Sequence, residues 1–157
     1  MKIVGKILIV VIFLILISYT LKYYSSVSYM QKKYLNINSN EVGKVNFKYL
    51  SPNSFNGDGI KIYVYEMTYN DIAKIQKRNN WHELPTDINQ SIDISYTGQD
   101  KNFKFPNSGF YILYDKQNDN YTTSEEYFNY SSYRTFNYIL AILDFQNNAF
   151  VYFEEDT

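Results

Sequence analysis

Eleven consecutive apolar residues, Ile7 to Ile17, follow a start that carries Lys2 and Lys6, and this run constrains the chain more than any other feature. A helix built from such residues has no polar stripe to show to water, so protein or lipid must enclose it on every side. Counted from Ile3 to Leu21 the segment rises about 28 Å, close to the roughly 30 Å hydrocarbon thickness of a bilayer. Lys6 is placed to snorkel, Lys22 ends the run, and Tyr19, Tyr23 and Tyr24 fall where an interfacial aromatic belt sits. Residues 1–22 are therefore expected to form a transmembrane helix, meeting the lipid bilayer through residues 3–21. Ser26-Val27-Ser28 is a small-x-small match to a signal-peptidase site, so secretion after cleavage near Ser28 is the competing expectation. The length of the run and the weakness of that site favour a retained signal anchor. With Lys2 and Lys6 ahead of the span, the N-terminus is placed inside. That makes the chain a single-pass protein of the cytoplasmic membrane with its C-terminal domain outside.

Charge divides along the same line. Five of the 15 basic residues (Lys2, Lys6, Lys22, Lys32 and Lys33) precede the first acid, Glu41. Residues 34–157 then carry 16 acids against 10 bases, a formal charge of −6. A basic stem below an acidic domain suits an anionic lipid surface. It does not suit nucleic acid, which is gripped mainly by Lys and Arg neutralising phosphates. There is no Cys, which excludes disulfides, thiolate metal sites, cysteine nucleophiles and lipoprotein acylation. The domain must be held by its core alone, and a domain of this length is large enough for that.

That core is aromatic: 18 Tyr and 11 Phe against 3 Met fit pleated strands, and the heavy use of Asn, Ile, Lys and Tyr fits an AT-rich bacterial genome. Residues 23–41 lack clear periodicity and read as a polar stem. From residue 42 onward, period-2 alternation predicts a strand with Val45, Phe47 and Tyr49 on one face. After a Gly/Pro/Asn loop over 51–59, a second strand follows from Ile60 to Met67, and the two are expected to pair as a hairpin. Thr68 and Asp71 form a capping box for a helix reaching Asn80, with Trp81 and Leu84 plugging its end. Residues 86–108 give one possible strand at Ser91–Tyr96. Gly109–Asp115 reads as a strand and Thr123–Tyr130 as one or two helical turns. Phe136–Phe145, apolar on both faces, reads as the central strand, returning after Gln146-Asn147-Asn148 through Ala149–Glu155. The fold expected for residues 42–157 is an α+β domain of order β-β-α-β-β-β, with a mostly antiparallel sheet and one main helix. No internal repeat is visible in the sequence.

Chemistry is sparse. His82 is the only histidine, no Gly-x-Ser-x-Gly elbow accompanies it, and Pro85 follows where a zincin helix would continue. It reads as a turn histidine. Asp115, Gln117, Asp119 and Glu126 fall on positions 1, 3, 5 and 12 of a calcium loop. Asn120 stands where that loop needs Gly, and a strand precedes it where a helix should, so no metal is assigned there and the segment reads as an exposed acidic loop. Asp87, Asp93, Asp100, Glu125 and Glu126 could supply paired carboxylates for glycoside chemistry, but spacing alone cannot set them across a sugar. Glu154-Glu155-Asp156 reads as a solvated end. No catalytic residue and no cofactor is assigned.

Several blocks of this sequence resemble small exported or membrane-anchored bacterial proteins with no assigned activity. They are Gly57-Asp58-Gly59, Trp81 to Pro85, Gly109-Phe110-Tyr111, Phe136 to Asp144 and the ending Val151 to Thr157. The likeness implies one coherent ectodomain and transfers no function. The expectation is thus a tyrosine-rich, non-catalytic module that binds another protein or a component of the cell envelope. An immunity or inhibitor protein against an exported toxin is the alternative, and an envelope glycan hydrolase the least favoured reading.

Overall fold

The computed structural model describes residues 2–24, 26–51, 59–78, 80–84, 103, 105–129 and 136–156. The expected strand at Ser91–Tyr96, most of the 51–59 loop, and Asp87, Asp93 and Asp100 lie outside them. The chain divides into two compact units, Met1–Ser39 and Asn40–Thr157.

In the first unit, α1 spans Lys2–Tyr24. Every residue from Ile7 to Ile17 is exposed, from 38% at Ile17 to 68% at Ile9, as an all-apolar helix without a protein jacket must be. Among the described residues no single helix is long and apolar enough to cross a membrane. Ile7–Tyr23 passes that test only jointly with Val27–Leu35, bent from it by 55°. A second helix, α2 (Val27–Leu35), lies within residues 23–41, where the sequence shows no clear periodicity. Its signal was a cap: the Ser26 hydroxyl accepts from Tyr29 N at 3.2 Å, and Asn36 ends the helix in the left-handed conformation. Tyr23 and Tyr29 meet across the bend with ring centroids 5.6 Å apart.

The second unit is α+β, and its sheet is antiparallel throughout the described strands. These are β1 (Val45–Leu50), β2 (Gly59–Glu66), β3 (His82–Glu83), β4 (Phe110–Asp115), β5 (Asn120–Thr122), β6 (Asn137–Asp144) and β7 (Ala149–Asp156). The order across the sheet is β1-β2-β7-β6-β4-β3, with β5 also on β4. β6 and β7 are central, as their two-sided apolar pattern requires. The β1–β2 hairpin forms as expected. A bulge between Val45 and Phe47 breaks the alternation, however, setting Val45 against Tyr65 and leaving it 41% exposed. β3 and β5 are additions to the expected order.

One face of the sheet carries Ile62, Tyr111, Leu113, Tyr138, Leu140, Ile142, Val151 and Phe153, closed over by Leu84, Phe105 and Tyr127. Tyr127 belongs to the short helix α4 (Ser124–Asn129). Helix α3 (Tyr69–Gln76) lies toward the other face, where Tyr69 meets Phe145 and Phe145 meets Phe110. Its N-cap is the one expected, with Thr68 Oγ1 accepting from Asp71 N at 3.2 Å and donating to Asp71 Oδ2 at 2.7 Å. It stops four residues before Asn80, where Trp81 Nε1 donates to Ile75 O at 3.2 Å and closes the end.

The tertiary structure exposes a repeat that the sequence hides. Asp115-Lys116-Gln117-Asn118-Asp119 and Asp144-Phe145-Gln146-Asn147-Asn148 make the same turn. In each, the Asp Oδ1 accepts from two backbone N–H groups and its Oδ2 from the Asn side chain (2.6 Å and 2.7 Å), and the fifth residue is left-handed (φ 54° and 50°). An offset of 29 residues also carries Leu113↔Thr122 onto Ile142↔Val151, and Asp115↔Asn120 onto Asp144↔Ala149. Under it Ile112 maps onto Ala141, with which it is paired. An approximate two-fold axis therefore passes through that pair and relates hairpin β4–β5 to hairpin β6–β7.

Candidate functional site

The two-fold relation breaks at the outer edge of β4, and the break makes a cleft. β7 runs unbroken along β6. Along β4 the equivalent strand is assembled from two pieces: Thr122 of β5 beside Leu113, then His82 of β3 beside Tyr111. The first piece leaves toward α4 on one face, and the second arrives from α3, which lies toward the other. Chains that diverge to opposite faces beside one strand leave a crevice between them, the same geometric cause that opens ligand sites at switch points of α/β sheets. Here it measures about 370 Å³. It opens beside Ile112 and Leu113 of β4, with Arg78, Asn80 and His82 on the β3 side and Tyr121 and Thr122 on the β5 side.

The sequence places His82 in a turn. It is a strand residue, exposed, with its ring 5.6 Å from that of Tyr111. Arg78, Asn80, Tyr121 and Thr122 carried no motif; the divergence of two distant segments brings them together. Arg78 forms an ion pair with Glu41, and both line a second cleft of about 360 Å³ that also holds Asp71 and Lys74. Thr68 and then Lys74 hydrogen-bond the Asp71 carboxyl and hold it below its usual range.

The four residues at calcium-loop spacing are spent locally. Asp115 is buried and fastens its own turn, so it corrects the reading of an exposed acidic loop. Gln117 contributes its backbone N–H to that turn, and Asp119 accepts from the Tyr114 hydroxyl. Glu126 caps α4, accepting from Thr123 N at 3.3 Å and Thr122 Oγ1 at 3.1 Å, bonds that lower its pKa with a smaller contribution from His82. Glu125 lies beside it in the first turn. Among the described residues no three His, Asp or Glu side chains converge on a metal position.

The C-terminal acids correct the sequence reading most sharply. Glu154 and Glu155 are 1% and 2% exposed, not solvated. Glu154 Oε1 pairs with Lys116 Nζ at 3.0 Å and Lys61 Nζ at 3.2 Å, and Oε2 accepts from the Tyr152 hydroxyl at 2.8 Å. Lys116 also pairs with Asp156. Burial raises the pKa of Glu154, but the Lys116 and Lys61 charges outweigh it and hold the carboxyl below its ordinary value. Burial lowers Lys116 in turn, and Glu154 and Asp156 reverse that. The cluster joins β2, β7 and the β4–β5 turn, with each charge answered inside it; it fastens the sheet. No family model, curated protein or solved structure matches the chain.

Proposed function

We propose that this chain is a membrane-tethered binding module: α1 inserts in the cytoplasmic membrane, and residues 42–157 form a non-catalytic domain on the outer side. The observation that carries the reading is the exposed apolar run Ile7–Ile17, followed by Lys22 in the last turn of α1. In water that surface would associate or aggregate, and lipid is the solvent that suits it. The basic charge before Glu41 and the acidic charge after it support the same arrangement on an anionic surface. A binding role is supported by the way the acids are used. Asp115, Asp144, Glu126 and Glu154 each secure a turn, a cap or an ion pair, which leaves them poorly placed as general acids or bases. A protein or an envelope component is the partner class this reading implies.

The absence of Cys makes the topology directly testable. Single cysteines at Lys2 and at the exposed Gln146 are to be probed in intact cells with a membrane-impermeant maleimide. Gln146→Cys should label from outside, Lys2→Cys only after lysis, and the full-length chain should resist carbonate extraction. Protection of Gln146→Cys, or release of the unshortened chain by carbonate, overturns the reading. A chain shortened to begin after Ser28 would replace the anchor with secretion.

A further inference from the structure

We propose that α2 is a second lipid contact: it lies along the bilayer surface just past α1, where Lys32 and Lys33 attract anionic lipid headgroups. This deepens the membrane reading above and rests on α1 being inserted.

The bend between the two helices sets the level. Lys22 stands in the last turn of α1, and Tyr23 and Tyr29 meet ring to ring across the break. Lysine and tyrosine are side chains that settle at the lipid–water boundary. Continued straight past Tyr24, with α1 along the bilayer normal, a helix would lift residue 33 about 14 Å off that boundary. At the observed 55° the lift falls to about 8 Å, close to the depth of the headgroup layer and to one Debye length at physiological salt.

The helix is two-sided. Gln31 and Leu35, one turn apart, are each 1% exposed, whereas Lys32 and Lys33 are exposed in its last turn. Lys32 Nζ donates to Asn36 Oδ1 at 3.1 Å; Lys33 Nζ donates to the Tyr34 hydroxyl at 2.7 Å and stands over its ring. These acceptors are neutral and an ammonium has three N–H donors, so neither contact cancels a charge. No Asp or Glu precedes Glu41, so Lys22, Lys32 and Lys33 put three positive charges into a stretch without an acid. Leu35 is already buried, so α2 offers the bilayer charge rather than an apolar face. A lysine near an anionic surface favours it about fivefold, an attraction that a zwitterionic surface lacks. Lysine is also a hydrated point charge without the fork of Arg, which suits a surface of many headgroups better than one fixed ligand.

The test uses the full chain reconstituted in vesicles of equal parts phosphatidylcholine and phosphatidylglycerol. Ser28 is exposed on α2, and Ser28→Cys gives this Cys-free chain one thiol for a fluorophore. Quenching is compared with a spin label on the acyl chain of one lipid or of the other. Phosphatidylglycerol should quench as if enriched about fivefold around α2, falling toward parity at about 0.5 M salt. Lys32→Gln/Lys33→Gln should bring the enrichment to about twofold or less, Lys22 supplying the remainder, and Lys32→Arg/Lys33→Arg should keep it. Gln and Arg both favour helix, so α2 stays formed in either variant. Carbonate extraction distinguishes the two levels of failure. A chain stripped from the vesicles overturns the membrane reading and this proposal together. A chain that resists carbonate overturns this proposal alone if both lipids quench it equally, if the Gln variant keeps the preference, or if the Arg variant loses it.

Discussion

Replacing Glu154 by Gln keeps its size and removes its charge, and the structure sets the consequence. The carboxylate is 1% exposed and lies 3.0 Å from Lys116 Nζ and 3.2 Å from Lys61 Nζ. Removing one partner of a buried pair typically costs about 3–5 kcal/mol, because the other charge stays buried without compensation. Two features soften the loss here: Asp156 remains with Lys116, and the Lys61 side chain, 30% exposed, can turn toward water. The expected loss is about 2–3 kcal/mol. In urea, followed by the single Trp81 in detergent micelles, that moves the midpoint down by about 1–2 M. The pH dependence identifies the cause. The folded pKa of Glu154 is depressed below its ordinary 4.5, so its contribution is complete above that value and is lost as pH falls through the folded one. Lys116, raised above its ordinary 10.5, contributes below that value and loses its share as pH rises through the folded one. The gap between wild type and Glu154→Gln should therefore be full near neutrality and close in acid. A gap under about 0.5 kcal/mol at neutral pH, or one that persists undiminished in strong acid, refutes the electrostatic account.

Gly109 has φ 134°, and a Cβ there would stand 2.2 Å from Leu143 O, so Gly109→Ala should cost roughly 3 kcal/mol or more in the same urea assay. Thr68→Ala removes the cap of α3 and should cost about 1 kcal/mol, with lost protection from hydrogen exchange confined to that helix. Phe153→Ala, at a side chain with no exposed surface in the sheet core, should cost about 3–5 kcal/mol. Asp144→Ala frees two backbone N–H groups and the Asn147 side chain in the β6–β7 turn and should cost about 1–3 kcal/mol. Asp115→Ala, in the equivalent turn, should match it if the two hairpins are equivalent.

The sequence by itself determined whatever rests on local periodicity and local caps. Eleven consecutive apolar residues set a helix with no polar stripe, the α1 of the structure. Alternation along Ile60–Met67 and Ala149–Glu155 sets the faces of β2 and β7, and Thr68 with Asp71 sets the start of α3. It overreached where a neighbour in space decides: residues 154–156 look like a solvated acidic tail until Lys61 and Lys116, distant in sequence, are brought beside Glu154. It missed β3, because two residues, His82 and Glu83, become a strand only through pairing with Tyr111 and Phe110. The repeated turn is not legible in the sequence, where only Asp, Gln and Asn recur while the flanking strands differ; matching register on the folded sheet reveals it. The crevice belongs wholly to the tertiary structure. Arg78 and Asn80 come to line one crevice with Tyr121 and Thr122 because α3 and α4 lie toward opposite faces, so two short strands part beside Ile112. Periodicity is a property of neighbours along the chain; a cleft between segments that meet only on folding leaves no period to read.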